Sequence, residues 1–325
     1  MNTRAEATAT GAATSVVQQR WLGLLVLLVL VVCSALWLAW LQVADGDASV
    51  RQLDGVGSRD GVTASRFRAD MWFLPDDKLL GFVEIPAGTF VMGSDPATDL
   101  LAYDNERWSQ QARQAEVLLP TFYIGRYEVT IGQFRQFAAA TDYKHSEAGL
   151  KKGPDFPATY VSWTDALAYG RWLQQQLMQS TTTPAPLAAL LNAGWHITLP
   201  NEAQWEKAAR GTTGKIYPWG SVAEKTKANY RSAGTTVVGD HACAECSYGL
   251  ADMSGNVWEF TRSPYRPYPF AESINQSQLA TDALWVMRGG SFSDAENNIR
   301  AAVRGGIDPS VRNANTGFRL VLEKN

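Results

Sequence analysis

The sequence predicts an irregular, loop-rich α+β domain preceded by one transmembrane helix. Three observations carry that expectation. A 23-residue stretch from Trp21 to Val43 contains no charged residue. At about 1.5 Å per residue, a helix of that length crosses a hydrocarbon core of about 30 Å. The chain also has 27 glycines, 12 tryptophans and 11 tyrosines but only 19% charged residues, which suits a domain pinned by aromatics and turns better than a helical bundle. Finally, apolar patterning after residue 80 comes in short runs broken by Gly, Pro, Asn and Asp, so few long helices are expected.

Composition bounds the function. With 325 residues, 46% of them hydrophobic, the chain is long enough to bury a sizeable core. Its 29 basic and 32 acidic residues are intermixed, for a net charge of −3. That balance gives no electrostatic case for nucleic-acid binding. No repeat of about 20–50 residues stands out, which argues against a solenoid or propeller.

Residues 1–20 are small and polar, with Arg4 and Arg20 their basic residues. Trp21 at one end of the apolar run and Trp37 and Trp40 near the other resemble interfacial anchors. A cleaved signal peptide would have a shorter apolar region ending at a small-x-small site, and Leu41-Gln-Val-Ala44 is a poor one. A retained anchor at 21–43 is therefore expected to contact lipid. Arginines before the run and Asp45 and Asp47 after it place the N-terminus in the cytoplasm and the main domain outside. In a Gram-negative cell this is a single-pass inner-membrane protein with a periplasmic domain. Residues 44–80 read as a polar tether in which Gly55, Gly57 and Gly61 lie among charges. Trp72, Phe73 and Leu74 are candidates for docking on the globular domain.

The globular part is expected over 81–325. Two β runs, Phe82–Ile85 and Thr89–Met92, flank Pro86-Ala-Gly88 and predict a hairpin. Residues 95–116 read as a charged surface loop, and 121–130 as another strand region. Thr130 can cap a helix over 131–140, with Phe134 and Phe137 on one face. Ser162 or Thr164 caps a second helix reaching Leu177. Residues 178–192 look like a surface insertion. Ile197 to Asn201 is a short strand and cap leading into a helix over 202–210. From 211 onward, loops, short strands and turns dominate.

The stretch Gly249-Leu-Ala-Asp-Met-Ser-Gly-Asn-Val-Trp-Glu-Phe260 mixes turn formers with residues built for burial. A fold-back at Gly255 aims the carboxylates of Asp252 and Glu259, with several backbone carbonyls, at one point. Oxygen-only ligation suits a hard cation such as calcium. A turn whose acids face water, with Trp258 in the core, has the same spacing. Just upstream, Cys243 and Cys246 form a Cys-x-x-Cys. In an oxidising compartment a local disulfide is the favoured reading. A redox pair and a metal site with His241 or Asp240 are the alternatives; Ser247, rather than His, follows the second cysteine, against a c-type haem site. Cys33 lies inside the apolar run.

A series of motifs occurs in order: PAGTFVMGS, Tyr127-Glu-Val-Thr130, PATYVSWTDALAYGRWL (157–173), LPNEAQWEKAARG (199–211), YPWG (217–220), GLADMSGNVWEF, MRGGSF (287–292) and NTGFRLV (315–321). On these, residues 81–325 resemble the formylglycine-generating enzyme, or sulfatase-modifying factor, superfamily. The resemblance implies a formylglycine-generating-enzyme-like domain with a C-type-lectin-like core. It also implies structural calcium held by Asp252, Gly255, Val257 and Glu259, and less clearly by Asn229 and Tyr230.

The same resemblance removes the expected chemistry. Active members bind copper(I) through two cysteines after Gly-Gly-Ser, and soft thiolates are what that ion requires. Here Asp294 stands at the first position, and the second falls near Asn297, Asn298 and Ile299, where this chain is also shorter. No cysteine follows Cys246, so no copper is expected. Branches that use non-haem iron rely on an extra His-rich domain, whereas this chain has three separated histidines, His145, His196 and His241. Ser291, Asp294, Glu296, Arg300 and Arg304, with Arg312, fall near the family's groove. They suit a ligand site or, in the favoured reading, surface pairing. Ser291 and Ser293 lack a histidine base. The function expected is a membrane-anchored periplasmic accessory or binding protein, with structural calcium, assisting assembly or maturation of a protein partner. The alternative is a metal-dependent, non-haem-iron type oxidase acting on a periplasmic peptide or cofactor.

Overall fold

The computed structural model describes residues 72–241, 243–269 and 283–324. The anchor expected at 21–43 and most of the tether lie outside them. Among the described residues no helix is long and apolar enough to cross a membrane.

The segment before residue 81 docks on the domain, as the apolar residues Trp72 and Phe73 predict. Trp72 is buried, and its indole N–H donates to Leu80 O at 3.1 Å. Phe73 meets Tyr127 edge-on, with ring centroids 5.0 Å apart. The Asp77 carboxylate accepts from the N–H groups of Leu79 and Gly81. Residues 72–80 thus pack on the domain, and the boundary expected at 81 moves back, because large apolar side chains in a polar stretch gain by leaving water.

The described residues form ten strands and four α-helices. They are β1 (Phe82–Ile85), β2 (Gly88–Gly93), β3 (Gln114–Leu119), β4 (Phe122–Gly125), α1 (Ile131–Thr141), α2 (Trp163–Gln179), α3 (Ala185–Asn192), β5 (His196–Thr198), α4 (Glu202–Arg210), β6 (Trp258–Pro264), β7 (Trp285–Arg288), β8 (Arg304–Ile307), β9 (Thr316–Gly317) and β10 (Val321–Glu323). They build one sheet of order β1-β4-β10-β5, a β2-β3 ribbon and a second sheet of order β8-β7-β6-β9.

The strands β1 and β2 do not form the expected hairpin. Phe82 lies opposite Gly125 and Phe90 opposite Val117, so the two runs belong to different sheets. The corner between them is gripped by Lys207, whose Nζ donates to Pro86 O at 2.6 Å and Gly88 O at 3.0 Å. Gly88, at φ 138°, turns the chain in a conformation few other residues adopt.

Helix starts are set locally. Thr130 with Gln133, Ser162 with Asp165 and Asn201 with Gln204 each form a capping box. The expected insertion at 178–192 instead contains α3, whose Leu187 and Leu191 enter the main core beside Phe134, Tyr169 and Phe318. The expected surface loop at 95–116 is likewise partly interior, since Asp99 and Glu106 are buried against Arg300. It also ends in β3.

The second core cluster surrounds α4 and includes Ile85, Phe90, Phe122, Trp205 and Val321. All nine residues of α4 are buried, four of them charged. Glu206 accepts from Gly93 N at 2.8 Å, from Arg210 at 2.9 Å and from Arg288. Glu202 receives the Arg304 fork at 2.6 and 2.8 Å. Burial pushes the Glu206 carboxyl up, but Arg288 and Arg210 outweigh it and hold it below the usual range. A carboxyl depressed in this way stabilises the fold above the unfolded carboxylate pKa and loses that contribution as pH falls through its folded value. Glu206→Gln should therefore cost about 3–5 kcal/mol at neutral pH in urea unfolding. The gap from wild type should narrow below about pH 4. Equal stabilities at neutral pH would refute this account of α4.

Candidate functional site

The stretch 249–260 is a tight turn wedged between α4, the 229–236 loop and the segment before β10. Gly255 has φ 79°, and a Cβ there would lie 2.2 Å from Asn229 O, so only glycine fits. Asn256 ties the turn together. Its Nδ2 donates to Glu128 Oε1 at 2.9 Å, and its Oδ1 accepts from Asn229 Nδ2 and Thr236 N at 3.2 and 3.0 Å.

The two carboxylates expected to converge have different roles. Glu259 is fully buried and fully engaged. Its Oε1 accepts from Arg319 Nη2 at 2.6 Å, and its Oε2 accepts from Arg319 Nε at 2.6 Å and Trp205 Nε1 at 2.7 Å. Asp252, in the left-handed region at φ 56°, accepts from Gly239 N at 2.6 Å through Oδ2, while its Oδ1 is buried without a partner. Glu128 Oε2 is buried and unpartnered as well. Burial raises the Asp252 carboxyl to about 6, and raises Glu128 well above the ordinary range, with the charge of Asp252 the next cause. The open oxygens of the neighbourhood thus belong to Asp252 and Glu128 rather than to Glu259. No three His, Cys, Asp or Glu side chains among the described residues converge as a ready metal cluster, so a cation here would draw on backbone carbonyls for the rest of its shell. Asn229 Oδ1 accepts from Ser232 Oγ, and Tyr230 O from Lys225 Nζ, so an ammonium already occupies that carbonyl.

The loop after β7 holds the residues of the expected groove. Gly290 sits at φ 72°, where a Cβ would meet Asn298 O at 2.5 Å. Asp294 binds the loop from inside. Its Oδ2 accepts from Ser291 N at 2.9 Å, Ser291 Oγ at 2.6 Å and Trp258 Nε1 at 2.9 Å, and its Oδ1 from Asn298 Nδ2 at 3.1 Å. Asn297 and Asn298 lie on a 3-10 turn, Glu296–Asn298, where both contact the Tyr103 hydroxyl. Ile299 is fully buried with Tyr217 and Tyr230.

The surface-pair expectation does not hold for two of the arginines. Arg300 is fully buried, with Asp99 at 2.7 Å and Glu106 at 2.6 Å. Arg304 is buried on Glu202. Ser291 is buried too. Glu296 is on the surface, paired with Arg231 at 2.7 Å, and Arg312 pairs with Asp165 at 2.8 Å. Sequence spacing could not show this, because the partners of Arg300 and Arg304 are roughly a hundred residues or more away. Beside Glu296 the structure opens a depression of about 600 Å³ lined by Leu101, Tyr217, Val222, Tyr230 and Arg231 among others. Its exposed apolar members, Leu101 and Val222, gave no signal in the sequence; Tyr217, from the YPWG motif, did.

Cys243 and Cys246 are joined by a disulfide, with Cα atoms 5.3 Å apart. The histidines do not meet: His145 lies against Phe134, His196 against Glu323 at 3.2 Å, and His241 is on the side of Asp252.

Residues 74–324 match the sulfatase-modifying factor enzyme 1-like domain family. The chain is similar to the hercynine oxygenase of Mycolicibacterium smegmatis, 28% identical over 74% of this chain and 61% of that protein. It is also similar to the inactive C-alpha-formylglycine-generating enzyme 2 of Bos taurus, 30% identical over 53% of this chain and 52% of that one. The chain thus spans less than two thirds of both relatives. The solved structure of PvdO from Pseudomonas aeruginosa shares the fold, with a TM-score of 0.58 at 24% identity over 74% of this chain and 94% of that one.

Proposed function

Because the chain belongs to the sulfatase-modifying factor enzyme 1-like family, we propose that it is an accessory or binding member of it, not competent for cysteine-dependent formylglycine formation. The observation that supports this most is Asp294. Where the resemblance puts a copper-binding thiolate stands a carboxylate with its oxygens directed at Ser291, Trp258 and Asn298. No cysteine follows Cys246, and hard oxygens are poor ligands for copper(I). The likeness to an inactive mammalian relative points the same way.

In this reading the depression beside Glu296 receives a segment of a partner protein. Leu101, Val222, Tyr217 and Tyr230 offer apolar contact, and the Arg231–Glu296 pair provides a polar rim. The apolar run at 21–43 would anchor the domain on the periplasmic face of the inner membrane, beside partners whose assembly or maturation it assists. A structural calcium fits the turn through the open oxygens of Asp252 and Glu128, with the carbonyls of Gly255 and Val257 as further ligands. It would offset the repulsion of two buried carboxylates and close a loop that lacks secondary structure. Glu259 remains with Arg319.

Three measurements test this. The full-length chain in detergent, given a cysteine peptide of the sulfatase type with copper(I) and oxygen, should produce no aldehyde by mass spectrometry; turnover would sink the non-competent reading. A photocrosslinking residue at Val222 should capture one discrete protein in cells, and Glu296→Arg should abolish the adduct; a diffuse or unchanged pattern would sink the partner site. Chelator should lower the melting temperature of wild type by a few degrees but leave Asp252→Asn unaffected. Unchanged wild-type melting would remove calcium from the proposal.

A further inference from the structure

The interior around α4 carries more positive than negative charge. Arg210 pairs with Glu206 at 2.9 Å, Arg288 with Glu206 and, at 3.5 Å, with Glu202, and Arg304 with Glu202 at 2.6 Å. Three guanidinium groups therefore share two carboxylates, and all five residues are buried. Arg288 Nε has no hydrogen-bond partner. Lys207 adds a fourth cation whose bonds go to the carbonyls of Pro86 and Gly88, and burial lowers its pKa.

One of these cations, Arg304, lines a cleft of about 390 Å³ together with Asp104, Asn105, Arg107, Tyr265 and Arg266, while the adjoining Arg300 has two carboxylates, Asp99 and Glu106, to itself. The volume is in the range of about 300–1,000 Å³ found for small-molecule sites. Arg304 forms part of the wall and is held rigidly. It lies 3.9 Å from the Tyr268 ring centroid and 5.4 Å from that of Tyr265, and donates to Asn105 O and Arg266 O as well as to Glu202. At the mouth, Arg107 has among the described residues only a long ion pair, 4.0 Å, to Asp104, an 87% exposed carboxylate that also faces Arg113 at 3.6 Å. Arg266 is exposed and has no acidic partner among the described residues. Two arginines at the mouth against one solvated carboxylate leave positive charge there, and low-dielectric walls focus the field of Arg304 into the cleft.

We propose that this cleft binds a small anionic molecule through a carboxylate or phosphate group. Arg107 and Arg266 supply guanidinium forks of the geometry those groups accept. Arg304, held by Glu202, Asn105 and Arg266, supplies a fixed positive charge in the wall that needs no rearrangement. The site shares no residue with the depression beside Glu296 and stands independently of the partner reading. Tyr265 and Asn105, joined at 2.8 Å, form a polar wall for the rest of the ligand.

The test is calorimetric titration of the full-length chain in detergent with inorganic phosphate and, separately, with glucuronate, which distinguishes phosphate from carboxylate recognition. One of the two should bind saturably at one per chain. The double variant Arg107→Gln, Arg266→Gln should weaken binding at least about tenfold, as expected for two lost charge-assisted contacts, while Arg231→Gln should leave it unchanged. Both mouth residues are on the surface, so the double variant should melt with wild type in the absence of anion. Saturable binding of neither anion, or equal binding by the double variant, would overturn the proposal.

Discussion

The Arg319–Glu259 pair is the contact on which the rest of the domain leans. Arg319, fully buried between β9 and β10, donates five hydrogen bonds: two to Glu259 and one each to the carbonyls of Gly125, Arg126 and Ala251. It thereby fixes the end of β4, the turn before β6 and the approach to β10 to one another. Trp205 of α4 completes the shell of Glu259. A buried ion pair is tolerable only when such additional bonds satisfy it, and removing one partner costs about 3–5 kcal/mol. This pair meets that condition on both sides.

The same device recurs wherever the chain has no ladder to rely on. Arg300 fixes the 99–106 segment through Asp99 and Glu106, Arg304 joins β8 to α4, and Arg312 reaches the capping residue Asp165 of α2. Each joins segments far apart in sequence with a planar fork that admits few geometries. With short strands and long loops, orientation comes from these forks, while the aromatic clusters around Tyr169 and Trp205 exclude water. Asp294 belongs to this scheme: its carboxylate organises the loop where the resemblance would put a thiol, with both oxygens hydrogen-bonded inside the loop.

What could be read from the sequence was what is decided locally. Capping boxes at Thr130, Ser162 and Asn201 depend on residues three positions on, and the helices start where those residues say. The run Phe82–Ile85 is a strand, as its β-branched and aromatic content suggests, but its partner β4 is chosen by non-local packing, so the hairpin expectation failed. Arg300 and Arg304 were visible as charges near a groove, yet their burial follows from Asp99, Glu106 and Glu202, which no spacing connects to them. The motifs holding Glu259 and Arg319 were each recognisable. That one residue engages the other, and so withdraws it from the expected cation clamp, is a tertiary fact. Glu128 was missed as a neighbour of Asp252 for the same reason.

In an interior where nearly every buried polar group has a partner, the exceptions carry information. Here they have opposite signs. Around Asp252 and Glu128 two carboxylate oxygens lack donors, and around Arg288 and Arg304 the guanidinium groups outnumber the carboxylates. Side-chain motion does not relieve either imbalance, because Asp252 is pinned through Gly239, and Arg304 through Glu202 and the Tyr268 ring. A rigid deficit of this kind is costly in the isolated chain. The calcium proposed at the first place and the anion proposed at the second would each supply the partner that the fold itself does not.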